Sequence, residues 1–183
     1  MAHRKRSLSL LRRYGPWALV AGASQGLGAA FAEALADLGF NLVLVARRRE
    51  PLVELGDRLE SSRGICVQCI VADLGDEDAP GLLEKETAGL DLGLVVYNAA
   101  FAPIGRFAER TIDQLTQVVD VNIRGPLNLV HRMLPRLTAR SRGDRVPGLR
   151  RAGIILMSSL SGNQGSPRIA VYSASKAFNS ILA

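Results

Sequence analysis

At 183 residues the chain is long enough for one domain with a substantial core and too short to expect two. Apolar residues make up 48% and charged residues 22%, which excludes a disordered or fibrous polymer, and no apolar run approaches the roughly 18 to 20 residues of a membrane span. The net charge is +6, and all but Lys5, Lys85 and Lys176 of the 23 basic residues are arginine; they are scattered along the chain, so no specific nucleic-acid partner is expected.

Residues 1–13 open with His3, Arg4, Lys5 and Arg6, and the short "LSLL" after them is cut off by Arg12 and Arg13. Without an apolar h-region this stretch reads as a disordered basic lead-in to a single domain at 14–183. "WALVA" (17–21) is a short apolar run, and "GAAFAEALADLG" then carries helical spacing that ends at Gly39, a suitable C′ glycine. "NLVLVA" (41–46) is the second strand. A helix from about Arg49 accepts Pro51 in its first turn and ends at Gly64.

"ICVQCIVA" is the third strand, and "GLLEKETAGL" a weak helix interrupted early by Pro80 and Gly81. "LGLVVYNAA" is the fourth strand, running into a loop. From Thr111 to Leu137 the spacing is helical, with Gly125 and Pro126 disturbing the middle. "ARSRGDRVPGLRRAG" (139–153), with Arg140, Arg142, Arg145, Arg150 and Arg151, reads as a solvated loop. "GIILMSS" is the fifth strand, and a last helix begins near Tyr172.

Apolar runs alternating with amphipathic helices predict βαβ units, and hence an α/β doubly wound parallel sheet covered by helices on both faces. Cys66 and Cys69 lie three apart in a predicted strand and so point to opposite faces, which speaks against a disulfide or a chelate. With no second cysteine pair and only two histidines, no metal site is expected. Both thiols are assigned to the core or its margin in a reducing cytoplasm. His3 lies in the lead-in, and His131, beside Arg132 in the long helix, is assigned to the surface or to partial burial.

"AGASQGLG" places Gly22, Gly26 and Gly28 between the first strand and its helix. Glycine lets a phosphate approach the backbone, and the helix N-terminus offers free amides and a positive dipole end, so a dinucleotide pyrophosphate fits there. The end of the second strand carries Arg47, Arg48 and Arg49 in place of the acid that would hold a ribose 2′-hydroxyl. Arg47 can pair with a 2′-phosphate, which favours NADP over NAD. Tyr172 and Lys176 are four apart, on one helix face, where an ammonium favours the phenolate and makes Tyr172 a proton donor or acceptor.

These stretches taken together, "AGASQGLG", "NAA", "SS" and "YSASK" in that order, resemble the classical short-chain dehydrogenases/reductases from about Tyr14 onward. The resemblance implies a Rossmann-type fold in three α/β/α layers and hydride transfer between NAD(P)(H) and a small-molecule carbonyl or secondary alcohol, with NADP preferred through Arg47 and NAD less expected. It makes Asn122, Ser159, Tyr172 and Lys176 catalytic, with Asn122 holding a water in a proton relay and Ser159, rather than Ser158, bonding the substrate oxygen. It assigns the cofactor to Gly22, Ser24, Gln25, Gly26, Leu27, Gly28, Arg47, Asp73, Leu74 and Asn98, with Tyr172 and Lys176 at the nicotinamide ribose. Two departures from the resembled NNAG motif occur: Tyr97 stands for its first asparagine and Ala100 for its glycine.

Family members are longer, so the resemblance also implies that the chain stops in the first turns of the active-site helix. Two further strands and the substrate lid would follow it. The full-length form is expected to be a cytoplasmic homo-oligomer with no membrane partner. Two readings stand side by side here: an oxidoreductase, or a truncated, non-catalytic fragment that binds the dinucleotide.

Overall fold

The computed structural model describes residues 10–142 and 150–183. Five strands, β1 (Trp17–Ala21), β2 (Asn41–Ala46), β3 (Val67–Val71), β4 (Leu92–Tyr97) and β5 (Gly153–Leu156), form one parallel sheet in the order β3-β2-β1-β4-β5. Helices α1 (Gly26–Asp37) and α2 (Arg49–Arg63) follow β1 and β2, and α3 (Ala79–Glu86) follows β3. After β4 come α4 (Ile112–Val119), a π-helical turn (Asp120–Arg124) and α5 (Gly125–Arg142). A short α6 (Ser161–Gln164) and then α7 (Ala170–Leu182) close the described chain. The strand order reverses between β1 and β4, and the crevice at such a switch point is where an open α/β sheet takes a ligand.

The central strands read as unbroken apolar runs because both faces are covered. Leu19, Val43 and Val95 lie side by side in register and meet Leu129, Met133 and Leu137 of α5, with Leu83 of α3. The alternate residues Ala18, Val20, Leu42 and Leu44 turn the other way, onto Leu35 of α1 and Leu52, Leu55 and Leu59 of α2. Gly39 (φ 87°) and Gly64 (φ 66°) end α1 and α2 in the left-handed region, as their places in the sequence predict.

Several expectations are corrected by the structure. Pro80 lies in the first turn of α3, where its missing amide costs no hydrogen bond, so it starts the helix and does not interrupt it. Residues 10–14 are helical, and Leu11 packs against the core beneath β1, so ordered structure begins within the supposed lead-in. Cys66 is exposed, outside the core margin expected for it, whereas Cys69 is half-buried as expected; both are free. The last helix starts at Ala170, near Tyr172 as expected, while the four-residue α6, too short to carry a periodic signal, is not read from the sequence.

Arg140 is the largest departure from the solvated loop read at 139–153. It belongs to α5, its side chain is 6% exposed, and it pairs with Asp91 at 2.8 Å. The same guanidinium donates to the carbonyls of Arg13, Gly15 and Arg151. Arg150 also bonds Asp91. Arg145 and His3 lie outside the described residues. His131 is exposed on α5, as expected.

Candidate active site

The turn after β1 is built by close backbone approach. Gly22 holds φ 85°, its amide bonds the Val45 carbonyl at 2.8 Å, and a Cβ on it would stand 2.6 Å from the Ala99 nitrogen. A Cβ on Gly28 would overlap the Gly22 carbonyl oxygen, so α1 can approach β1 only with glycine there. Gly26 (φ 57°) has open space where its side chain would be. Gln25 caps α1 without a side-chain bond, which leaves the first-turn amides facing out. This combination fits a compact anionic group such as a pyrophosphate.

A cleft of about 310 Å³ opens above this turn, walled by Gly22, Ser24, Gln25, Gly26, Arg47, Asp73, Leu74 and Asn98 among others. Arg47 and Asp73 face each other across it at 3.5 Å, a long contact between partly exposed groups. Arg48 donates to the Gln25 side chain, so a second guanidinium borders the cleft. Asn98 donates from Nδ2 to the Gly22 carbonyl at 3.0 Å, which makes it a brace of the glycine turn. Ala100 lines the cleft too, and no described residue other than glycine has a positive φ, so its methyl group brings no left-handed strain. Leu27 stands 65% exposed on the first turn of α1.

The proposed catalytic side chains gather at the C-terminal end of β5. Lys176 is 2% exposed, and its Nζ donates to the Met157 carbonyl at 2.6 Å and lies 5.6 Å from the centre of the Tyr172 ring. The i, i+4 spacing on α7 stacks the ammonium against that ring. Burial lowers the Lys176 pKa from 10.5 to about 8. The structure separates the two serines: Ser158 Oγ is tied to the Lys176 carbonyl at 2.7 Å and to Ser180 Oγ at 2.6 Å. Ser159 Oγ accepts only from Ser161, through its amide at 3.3 Å and its hydroxyl at 3.0 Å.

Asn122 sits in the π-helical turn with no exposure and has its side chain fully committed. Oδ1 accepts from the Phe101 amide at 2.8 Å; Nδ2 donates to the Phe101 carbonyl at 2.9 Å and to Ser175 Oγ at 3.1 Å. Ser175 Oγ donates in turn to the Tyr172 carbonyl at 2.7 Å. The fold thus brings Asn122, Ser159, Tyr172 and Lys176 to one region, and no side-chain bond runs from Asn122 to Lys176. Tyr172 borders a narrow gap beside Arg110 and Arg168, apart from the cleft over the glycine turn. Phe101, Ser175 and the Met157 carbonyl escape the sequence reading. Ser175 alone had a signal, its place inside "YSASK", because backbone partners leave no trace in residue type.

The family model "short chain dehydrogenase" matches residues 16–183. The chain belongs to the short-chain dehydrogenase family. It is 31% identical over 171 residues to a 7beta-hydroxysteroid dehydrogenase of Mediterraneibacter gnavus, covering 93% of this chain and 62% of that protein. It is 33% identical over 172 residues to "Inactive hydroxysteroid dehydrogenase-like protein 1" of Homo sapiens, covering 92% and 49%. A short-chain dehydrogenase from Sphingobium yanoikuyae solved in complex with NADPH superposes with a TM-score of 0.82 at 28% identity, covering 92% of this chain and 62% of that one. The chain therefore spans less than two thirds of the length of these relatives.

Proposed function

We propose that this chain carries the dinucleotide site and the proton-transfer machinery of an NADP(H)-dependent oxidoreductase acting on a carbonyl or secondary-alcohol substrate. The observation that carries the reading is the buried Lys176 ammonium stacked 5.6 Å from the Tyr172 ring, at the end of the strand that presents Ser159. Family members named dehydrogenase or reductase, and a neighbour solved with NADPH, support it.

Gly22, Ser24, Gln25, Gly26, Leu27 and Gly28 hold the pyrophosphate on the free amides of α1. Asp73 and Leu74 border the adenosine end, and Asn98 keeps the glycine turn in shape. Arg47 and Arg48 reach a 2′-phosphate with charge-assisted hydrogen bonds, Arg47 leaving its long contact to Asp73. A dinucleotide held over the glycine turn would supply a hydride to the carbonyl carbon or take one from the alcohol.

Tyr172 gives its hydroxyl proton to the substrate oxygen in reduction and takes it back in oxidation. Lys176 stabilises the phenolate that remains and meets the nicotinamide ribose hydroxyls. Ser159 donates a hydrogen bond to the oxygen as charge develops on it. Any proton relay past Asn122 runs without its side-chain amide, which is bound to Phe101 and Ser175. In this reading the protein works on small molecules in the cytoplasm and as a homo-oligomer.

Fluorescence titration with NADPH and NADH tests the cofactor, and NADPH is expected to bind at least about tenfold more tightly, the equivalent of one charged contact. Tyr172→Phe is expected to bind NADPH normally while reducing none of a panel of steroid, aliphatic and aromatic ketones that the unaltered chain reduces. Turnover by Tyr172→Phe overturns the assignment of the acid, and absence of turnover by the unaltered chain overturns the enzymatic reading in favour of a dinucleotide-binding fragment.

A further inference from the structure

Tyr97 occupies the place of an asparagine in the resembled motif, and nothing in the proposed reaction uses it. It is 2% exposed at the end of β4, and its hydroxyl donates to the Val121 carbonyl at 2.6 Å, across 24 residues of sequence. That carbonyl is short of a helical partner. Within the π-helical turn the Gly125 amide bonds Asp120, five residues back, and the same spacing from Val121 falls on Pro126, which has no amide. Without Tyr97 a buried acceptor would be left unpaired.

The fit is close on both sides. A Cβ on Gly125 would collide with the Tyr97 hydroxyl, so the phenol is accommodated because residue 125 is glycine. Burial, with the Asp73 charge adding to it, raises the Tyr97 pKa well above its ordinary value, so the group remains a donor. From the turn that Tyr97 pins, a short chain of bonds leads to the catalytic helix. Asn122, next to Val121, clamps both backbone groups of Phe101 and bonds Ser175, and Ser175 bonds the Tyr172 carbonyl.

We propose that Tyr97 is a positioning residue: its hydroxyl stands in for the amide Pro126 lacks, fixes the π-helical turn, and through Asn122 sets the Phe101 loop and the catalytic helix against each other. The positional part stands on these contacts alone; its consequence for turnover rests on the oxidoreductase reading.

The experiment compares the full chain with Tyr97→Phe and with 4-aminophenylalanine at the same position, which returns a donor of similar reach. Amide hydrogen exchange by NMR is the deciding measurement. In Tyr97→Phe the Phe101 amide is expected to exchange about tenfold faster, the equivalent of one lost buried hydrogen bond. Amides of Leu19 and Val43 in the central sheet stay within about twofold, because opening is local. The aminophenylalanine protein regains protection at Phe101.

Uniform acceleration across the sheet makes Tyr97 a general stabiliser and overturns the proposal, as does unchanged exchange at Phe101. In turnover, Tyr97→Phe lowers kcat by about tenfold while KM and the NADPH Kd stay within about twofold, the signature of misplaced catalytic groups. If the unaltered chain shows no turnover, the oxidoreductase reading fails, and the exchange result still decides whether Tyr97 holds the turn.

Discussion

Raising the pH discharges Lys176 inside the folded chain well before it discharges the same side chain in the unfolded one. Burial lowers its pKa from 10.5 to about 8, and at 2% exposure little water screens it. At about 1.4 kcal/mol per pH unit, holding this ammonium in the fold costs roughly 3 kcal/mol at neutral pH. Below pH 8 both states carry the proton, so the whole penalty is present. Between pH 8 and 10.5 the unfolded chain binds more protons than the folded one, and stability rises with pH; above that window the gain is complete. Urea unfolding at pH 7, 8, 9 and 10 of the natural chain and of Lys176→Met isolates the effect. The stability of the natural chain relative to the variant should climb by about 1 kcal/mol or more for each pH unit above 8. Cys69 pulls the other way at high pH, because burial and the nearby Asp57 and Glu60 raise its thiol pKa. It is present in both proteins and cancels in the difference. A difference that stays flat from pH 7 to 10 refutes the buried, charged lysine.

Gly28→Ala forces a methyl group onto the Gly22 carbonyl oxygen. It should destabilise the chain by about 2 kcal/mol in urea unfolding and abolish NADPH binding in titration, since α1 must back away from the turn. Arg140→Ala removes a nearly buried guanidinium that joins α5 to Asp91 and to the carbonyls of Arg13, Gly15 and Arg151. A loss of about 3 kcal/mol by the same assay is expected, at the low end for a broken buried pair because Asp91 keeps Arg150.

The sequence by itself determined the five strands and the long helices between them, while the strand order, the π-helical break and the short α6 came from the fold. Runs such as "WALVA" and "NLVLVA" have side chains buried on both faces of a sheet, and a strand covered on both sides admits few polar residues. The glycine turn was legible for a similar reason: Gly22 and Gly28 sit where backbone meets backbone, so the residue type records the contact. Tyr172 and Lys176 were legible because the helix places i and i+4 together by local geometry alone. The tertiary structure alone showed why Ser158 is unavailable, since its hydroxyl is tied to the Lys176 carbonyl and Ser180 of α7 while Ser159 meets only Ser161. It likewise decided that Arg140 is buried, that Asn122 is committed to Phe101 and Ser175, and that Tyr97 completes the turn before Pro126. Each of these depends on a hydrogen bond to a partner brought close by folding, most often a backbone group, and a backbone carbonyl looks the same whatever residue carries it.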